Sequence, residues 1–258
     1  MATYPFQTAL VTGASSGIGA EMARQLGEAG VPTVLVARRG DRLRELAARH
    51  DGFEVLEADL LTDAGRDAVT DRIADDDAPI DLVVNNAGFG SSGMVHELDP
   101  ARLADEVELN VKALTVLSTV ALATMRERDR GWLLNVSSVA SFQAGPGLAV
   151  YSATKAFVTS FTEAVHEEMR GTNVAVSALC PGLTKTEFQA QSNTEAYEER
   201  IPGFMWTDAE MVAREGLDGV ARNRTLIVPG AVYKGAQALG SVTPRFVARR
   251  LSGLVGRT

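Results

Sequence analysis

A chain of 258 residues, 45% hydrophobic and 22% charged, has globular proportions and is read as one soluble domain over residues 1–258. Its net charge of -8 argues against a nucleic-acid binder, and the single cysteine, Cys180, excludes an internal disulfide and suits a reducing, cytoplasmic setting. No uncharged run approaches the roughly eighteen residues of a membrane span, and Met1-Ala-Thr-Tyr-Pro-Phe-Gln7 lacks the basic start and apolar core of a signal peptide.

Ala9-Leu10-Val11 reads as a short buried strand, followed by Thr12-Gly-Ala-Ser-Ser-Gly-Ile-Gly19 and a helical pattern from about Gly17 to Ala29 that stops at Gly30. Strand, glycine loop and helix in that order let the backbone approach a pyrophosphate at a helix N-terminus. The spacing is G-x-x-x-G-x-G, not the common G-x-G-x-x-G. Thr33-Val-Leu-Val-Ala37 is the second strand. An NAD-selective site places Asp or Glu near the end of that strand. Here Arg38 and Arg39 stand there, and a guanidinium would bind a 2′-phosphate, with Ser15 or Ser16 as an extra donor. That favours NADP over NAD; the plainer reading is a solvated helix start continuing through Arg42 and Arg44. Phe53 to Ala58 is a third strand, closed by Asp59-Leu60, and 63–76 reads as a surface helix. A fourth strand, Ile80 to Val84, runs into Asn85-Asn-Ala-Gly88. Such alternation predicts an α/β fold, a Rossmann-type doubly wound parallel sheet of about seven strands. Ligands sit beyond the carboxyl ends of such strands, where the glycine loop, Arg38, Asp59, Asn86 and Gly88 all fall.

Leu103 to Met125 is a long helical pattern containing Asn110, a residue that in a helix usually serves packing or solvent. Gly131 to Val136 is a fifth strand and delivers Ser137-Ser138 to the ligand edge. An Ala- and Gly-rich loop then leads to a helix extending to about Met169, which carries Tyr151-Ser-Ala-Thr-Lys155. Four residues apart on a helix, Tyr151 and Lys155 share a face. A nearby ammonium favours the phenolate and makes the tyrosine a better proton donor and acceptor near neutrality, as a carbonyl receiving hydride requires. Asn173 to Leu179 is a sixth strand, followed by Cys180-Pro-Gly-Leu-Thr-Lys-Thr186, and Thr225 to Pro229 is the last. His50, His96 and His166 are scattered on expected surface segments, so no metal site is expected.

Taken in order, Thr-Gly-x-x-x-Gly-x-Gly at 12–19, Asn-Asn-Ala-Gly at 85–88, Asn110, Ser138, Tyr-x-x-x-Lys at 151–155 and Pro-Gly-x-x-x-Thr at 181–186 resemble the short-chain dehydrogenase/reductase family over residues 8 to 230. The resemblance implies a catalytic tetrad of Asn110, Ser138, Tyr151 and Lys155, with Asn110 positioning a water. It implies NADP held by Gly13, Ser15, Ser16, Gly17, Ile18 and Gly19 of the glycine loop and by Arg38 and Arg39 after the second strand. Asp59 and Leu60, then Asn86, Ala87 and Gly88, would follow along the cofactor. Tyr151, Lys155, Pro181, Gly182, Thr184 and Thr186 would hold its nicotinamide end. A small-molecule carbonyl or alcohol as substrate, and a homodimer or homotetramer through the helices around 103–125 and 151–169, are implied likewise.

Residues 183–206 form a long connection rich in aromatics, among them Phe188, Tyr197, Phe204 and Trp206. It reads equally as a substrate lid suited to an apolar substrate and as a satellite core. The C-terminal basic extension, 234–258, places Val247, Leu251 and Val255 at helical spacing beside Arg249, Arg250 and Arg257. Packing on its own domain or a partner subunit is favoured over a membrane surface. The expected activity is an NADP(H)-dependent carbonyl reductase or alcohol dehydrogenase. The rival readings are an NAD-dependent enzyme and a non-catalytic NADP sensor or scaffold.

Overall fold

Val34, Leu35 and Val36 are all buried, as are Leu82, Val83 and Val84. Strands with no side left for water belong to a sheet covered on both faces, and parallel strands joined by helices produce that cover. In the computed structural model, which describes residues 4–193 and 202–235, the strands are β1 (Ala9–Thr12), β2 (Thr33–Ala37), β3 (Phe53–Glu57), β4 (Leu82–Asn85), β5 (Gly131–Val136), β6 (Val174–Leu179) and β7 (Leu226–Ile227). They make one parallel sheet in the order β3-β2-β1-β4-β5-β6-β7. Between them run α1 (Gly17–Glu28), α2 (Gly40–Ala47), α3 (Asp63–Ile73), α4 (Pro100–Val107), α5 (Leu114–Glu127), α6 (Ala149–Glu168), the short α7 (Phe188–Gln191) and α8 (Ala209–Ala221).

One face of the sheet packs Val11, Leu35, Val84 and Leu134 against Met22 and Leu26 of α1 and Val212 and Leu217 of α8. The other packs Leu10, Val34, Val83 and Leu133 against Val69 of α3, Leu117 and Ala121 of α5 and Val165 of α6. Strand order reverses between β1 and β4, so the crevice expected of doubly wound sheets opens at the ends of those two strands. The helical run Pro100–Glu127 is apolar and long enough by composition to cross a membrane; its apolar face is spent on the sheet through Leu117, Ala121 and Met125.

A polar seam runs through this apolar packing. Asn85 Nδ2 donates to Ser118 Oγ and to Asn135 Oδ1, each at 3.0 Å, and Asn135 Nδ2 donates to Thr162 Oγ1 at 3.0 Å. The chain thereby fixes β4 and β5 against α5 and α6, since buried amides must find partners.

Three expectations change. The pattern from 103 to 125 is not one α-helix: α4 ends at Val107 and Glu108–Ala113 winds as a π-helix before α5. Asn110 lies in that wider turn, its side chain drawn inward by bonds to Phe89 and Thr154. His166 is half-buried rather than free on the surface. Its Nδ1 lies 2.7 Å from the Val176 carbonyl and its Nε2 3.0 Å from Thr225 Oγ1, joining α6 to β6 and to the entry of β7. Strand ends also move: β4 begins at Leu82, because Asp81 N bonds to Thr8 O below the ladder, and β7 keeps only two residues. Most of the basic extension, 236–258, lies outside the described residues, as do Tyr197 and Ile201.

Asn135→Ala removes one acceptor of the Asn85 amide and the donor to Thr162 Oγ1, and leaves a cavity where the side chain was, while Asn85 keeps Ser118 and Thr162 keeps the Val158 carbonyl. Chemical denaturation should show a loss of about 2–3 kcal/mol, for the lost buried hydrogen bonds and the cavity.

Candidate active site

The site starts at the carboxyl end of β1. Thr12 Oγ1 accepts the N–H groups of Asn86 (2.9 Å) and Ala87 (3.0 Å) and donates to Val84 O. Asn86 Nδ2 returns a bond to Thr12 O at 2.9 Å. With the two strand ends laced this closely, Gly13 and Gly19 have no room for a side chain: a Cβ on Gly19 would lie 2.4 Å from Asn86 Nδ2 and 2.6 Å from Gly13 O. Gly13 and Gly17 also take positive φ, +68° and +59°, which favours glycine. Ser16 stands at the N-cap of α1 without capping it. The first-turn N–H groups therefore face the crevice unclaimed by that side chain, which suits a phosphate.

The two arginines after β2 part company. Arg38 is exposed on the rim, whereas Arg39 turns over the glycine loop and donates to Ser15 Oγ (3.0 Å) and Ser16 Oγ (2.8 Å). Arg39 also pairs with Glu187 at 2.8 Å, and Arg42 binds the same carboxylate. These cations hold the Glu187 acid below its usual range. The sequence put Arg38 first for a 2′-phosphate; the structure puts Arg39 beside both serines.

At the other end, Ser138 enters a single 3-10 turn, Val139–Phe142, and Tyr151 sits in the first turn of α6. Lys155 is 4% exposed; its amine donates to the Val136 carbonyl at 2.9 Å and lies 5.8 Å from the centre of the Tyr151 ring. Asn110 Nδ2 donates to Phe89 O (2.8 Å) and Thr154 Oγ1 (3.1 Å), and Asn110 Oδ1 accepts from Phe89 N at 3.2 Å. A Cβ on Gly88 would lie 2.8 Å from Asn110 Oδ1 and 3.4 Å from Lys155 Nζ, so both polar groups converge beneath that glycine.

Burial rules the charges here. It pushes the Tyr151 phenol up to about 12, against the pull of the Ser138 hydroxyl beside it, and pushes the Lys155 amine down to about 8. The expected lowering of the Tyr151 phenol by Lys155 is therefore not found in the protein alone. The phenolate is penalised by its dry setting, and the Lys155 amine is turned to the Val136 carbonyl.

A cavity of about 890 Å³ joins the two ends. Of the residues singled out from the sequence, Gly13, Ser15, Ser16, Gly17, Ile18, Arg38, Arg39, Asp59, Leu60, Asn86, Ala87 and Gly88 line it, as do Ser138, Tyr151, Lys155, Pro181, Gly182, Thr184 and Thr186. Gly19 and Asn110 do not; Gly19 packs beneath the loop, and Asn110, 1% exposed, clamps the Phe89 backbone from behind. From 183–206, Phe188 sets its ring 5.5 Å from that of Tyr151, and Trp206 joins the wall. Ser192 Oγ accepts from Gly90 N, and the Arg102 guanidinium donates to Gly90 O and Gln191 O, tying α7 to the segment after β4. Phe204 is exposed and takes no part in a satellite core. Sequence reasoning passed over Arg102, which ties the segment after β4 to α7. Among the described residues no His, Cys, Asp and Glu cluster could hold a metal.

Comparison with known proteins meets this geometry directly. The family model for short chain dehydrogenases matches residues 7–196. The chain belongs to the short-chain dehydrogenase family. It is 39% identical over 199 residues to an uncharacterized oxidoreductase from Myxococcus xanthus, covering 75% of this chain and 78% of that protein. A short-chain dehydrogenase from Sphingobium yanoikuyae, solved with NADPH, superposes with a TM-score of 0.81 at 31% identity, over 92% of this chain and 96% of the other. A bulky-bulky ketone specific alcohol dehydrogenase from Comamonas testosteroni gives 0.77 at 29% identity, over 93% and 95%. Family membership makes this short-chain dehydrogenase an oxidoreductase that binds a nicotinamide cofactor.

Lys155 also marks the stability curve. Its folded-state value, about 8, lies below the ordinary 10.5, so in that window the unfolded chain binds more protons and unfolding free energy rises with pH. Tyr151, raised from 10.0 to about 12, acts in the opposite direction only above its unfolded value. The buried Cys180 thiol, raised from 9.0 to about 11, opposes the Lys155 slope above about pH 9. Denaturant melts of the cofactor-free protein between about pH 8 and 9 should show the positive slope, and Lys155→Met should lack it.

Proposed function

We propose that this protein is an NADP(H)-dependent oxidoreductase interconverting a carbonyl with a primary or secondary alcohol of an apolar substrate, with Tyr151 as the acid/base. The observation that carries this reading is the meeting of Ser138, Tyr151 and Lys155 at one end of a cavity whose other end is the glycine loop. Ser138 hydrogen-bonds the substrate oxygen. Tyr151, kept as a phenol by burial, donates its proton there during reduction and takes it back during oxidation. Lys155, as an ammonium, favours the phenolate that remains after transfer. Asn110 steadies the Phe89 segment that walls the pocket, beside Lys155.

Bound NADP(H) supplies or accepts the hydride. The open N–H groups at the start of α1 suit its pyrophosphate, Arg39 and Arg38 with Ser15 and Ser16 suit a 2′-phosphate, and Asp59 and Asn86 through Gly88 line its path. Lys155, Pro181, Gly182, Thr184 and Thr186 would hold the nicotinamide end. The NADPH in the Sphingobium relative supports the choice of NADP, as does the absence of an acidic residue at the end of β2. Phe188, Trp206 and Leu148 give the pocket an apolar wall, which suits a bulky ketone of the kind for which the Comamonas alcohol dehydrogenase is specific. The described parts of the connection, 183–193 and 202–206, act as the lid over this pocket through Phe188 and Trp206. Val116 on α5 and Phe157 on α6 are exposed, and Phe157 stacks on Phe161; these apolar side chains support a homodimer or homotetramer through those helices.

NADPH consumption against aldehydes, ketones, sterols and 3-oxoacyl compounds tests the activity. Tyr151→Phe should lose about 10²–10⁴-fold in turnover, the usual worth of a positioned proton donor, with NADPH still bound. NADPH bound without turnover of any compound would favour the sensor reading.

Cofactor choice is tested separately. Arg39→Ala should weaken NADPH by more than about tenfold, or 1.4 kcal/mol, and leave NADH nearly unchanged. Unchanged NADPH affinity would remove the 2′-phosphate assignment.

A further inference from the structure

A guanidinium carries its N–H donors in one plane and has no acceptor. Arg39 Nε donates to Ser15 Oγ at 3.2 Å, and its Nη2 donates to Ser15 Oγ at 3.0 Å and Ser16 Oγ at 2.8 Å. Its Nη1 donates to Glu187 Oε2 at 2.8 Å, while the other oxygen of that carboxylate accepts from Arg42 Nη1 at 2.5 Å. Every nitrogen of the Arg39 guanidinium is therefore already engaged.

The two kinds of acceptor differ in what they offer a phosphate. A serine hydroxyl can accept from Arg39 and still donate its own proton to a phosphate oxygen, so Ser15 and Ser16 assist. A carboxylate only accepts, and it carries the same sign as the phosphate, so Glu187 opposes. Its position is built into the chain. Glu187 directly precedes α7, where Thr186 Oγ1 accepts from Phe188 N and the Gln189 amide bonds both Thr186 N and Thr184 O. Thr186 and Phe188 line the cavity and Glu187 does not, so the carboxylate meets Arg39 from outside the wall.

The pair is also exchangeable. The side chains of Arg39 and Glu187 are 38% and 46% exposed, and ion pairs so open to water contribute little net stability. A phosphate can bind a guanidinium through two parallel charge-assisted bonds, where Glu187 makes one to Arg39.

We propose that Glu187 is a specificity-determining residue for the cofactor, an internal competitor of the 2′-phosphate for Arg39 that narrows the preference for NADPH over NADH. NADH has no 2′-phosphate and leaves the pair intact. NADPH must part it, and Arg42 keeps the displaced carboxylate paired. The penalty thus falls on the phosphorylated cofactor alone. The proposal rests on the reading of Arg39 as the 2′-phosphate ligand.

Calorimetric titration tests it without substrate or turnover. NADPH and NADH, with adenosine 2′,5′-bisphosphate and AMP as probes lacking the nicotinamide, are titrated into the wild type, Glu187→Gln, Arg39→Ala and the double variant. Glu187→Gln keeps the shape and removes the charge of an exposed side chain, so folding is preserved. It should tighten NADPH and the bisphosphate by about three- to fivefold, the upper worth of an exposed ion pair, with NADH and AMP changed less than about 1.5-fold. In the Arg39→Ala background the gain should vanish, because the contested donor is gone. Unchanged or weaker NADPH binding in Glu187→Gln, with Arg39→Ala still weakening NADPH, overturns the proposal and leaves the 2′-phosphate reading standing. NADPH affinity indifferent to Arg39→Ala overturns that reading and the proposal with it.

Discussion

The hydroxyl of Thr12 gathers the two central strands where they end. It takes two backbone N–H groups from the exit of β4 and gives its own proton to Val84, while the Asn86 amide binds back to the Thr12 carbonyl. This short-range lacing brings the glycine loop down onto the β4 exit and explains why side chains are excluded at Gly13 and Gly19. It also lies where strand order reverses, so the helices on either face diverge and leave the crevice open. The cofactor end of the cavity is thus a consequence of how two strand ends are tied.

The reacting end obeys a different constraint, which is dryness. Tyr151 and Lys155 are both pressed toward their neutral forms, the phenol upward and the amine downward. Desolvation acts on both at once, so placing a lysine one helical turn from a tyrosine does not by itself ionise the tyrosine. The charge that assists proton transfer has to be sustained by something else in the fold. Lys155, at about 8, still holds its proton near neutrality, and its bond to the Val136 carbonyl keeps that charge solvated by the backbone.

Much of this could be read from residue order. Runs such as Thr33 to Ala37 show buried parallel strands, the glycine spacing shows a phosphate loop, and Tyr151 with Lys155 shows a shared helix face. What could not be read depends on distant partners or on backbone direction. Residue order favours Arg38 over Arg39, but the chain turns at Arg39 (φ -90°, ψ 80°) and aims only the second at Ser15 and Ser16. His166 looks like a surface residue until Val176 and Thr225 arrive at its two ring nitrogens. Glu106 sits among Asp105 and Glu108 as if on a solvated face, yet it is fully buried.

Those failures are not spread evenly along the chain. Between Glu106 and Ala113 the protein places a buried acid with no hydrogen bond, a buried asparagine and six residues of π-helix. Each is unfavourable in an ordinary helix, and π turns persist where something holds them. Asn110 is held by three hydrogen bonds to the Phe89 backbone and Thr154, which draw the helix inward at the point where Lys155 and Gly88 meet it. Local rules that break together, against one side chain of α6, indicate a single demand on that region. The demand is to bring Asn110 onto the Phe89 backbone beside Lys155, and the irregular helix is the form the backbone takes to meet it.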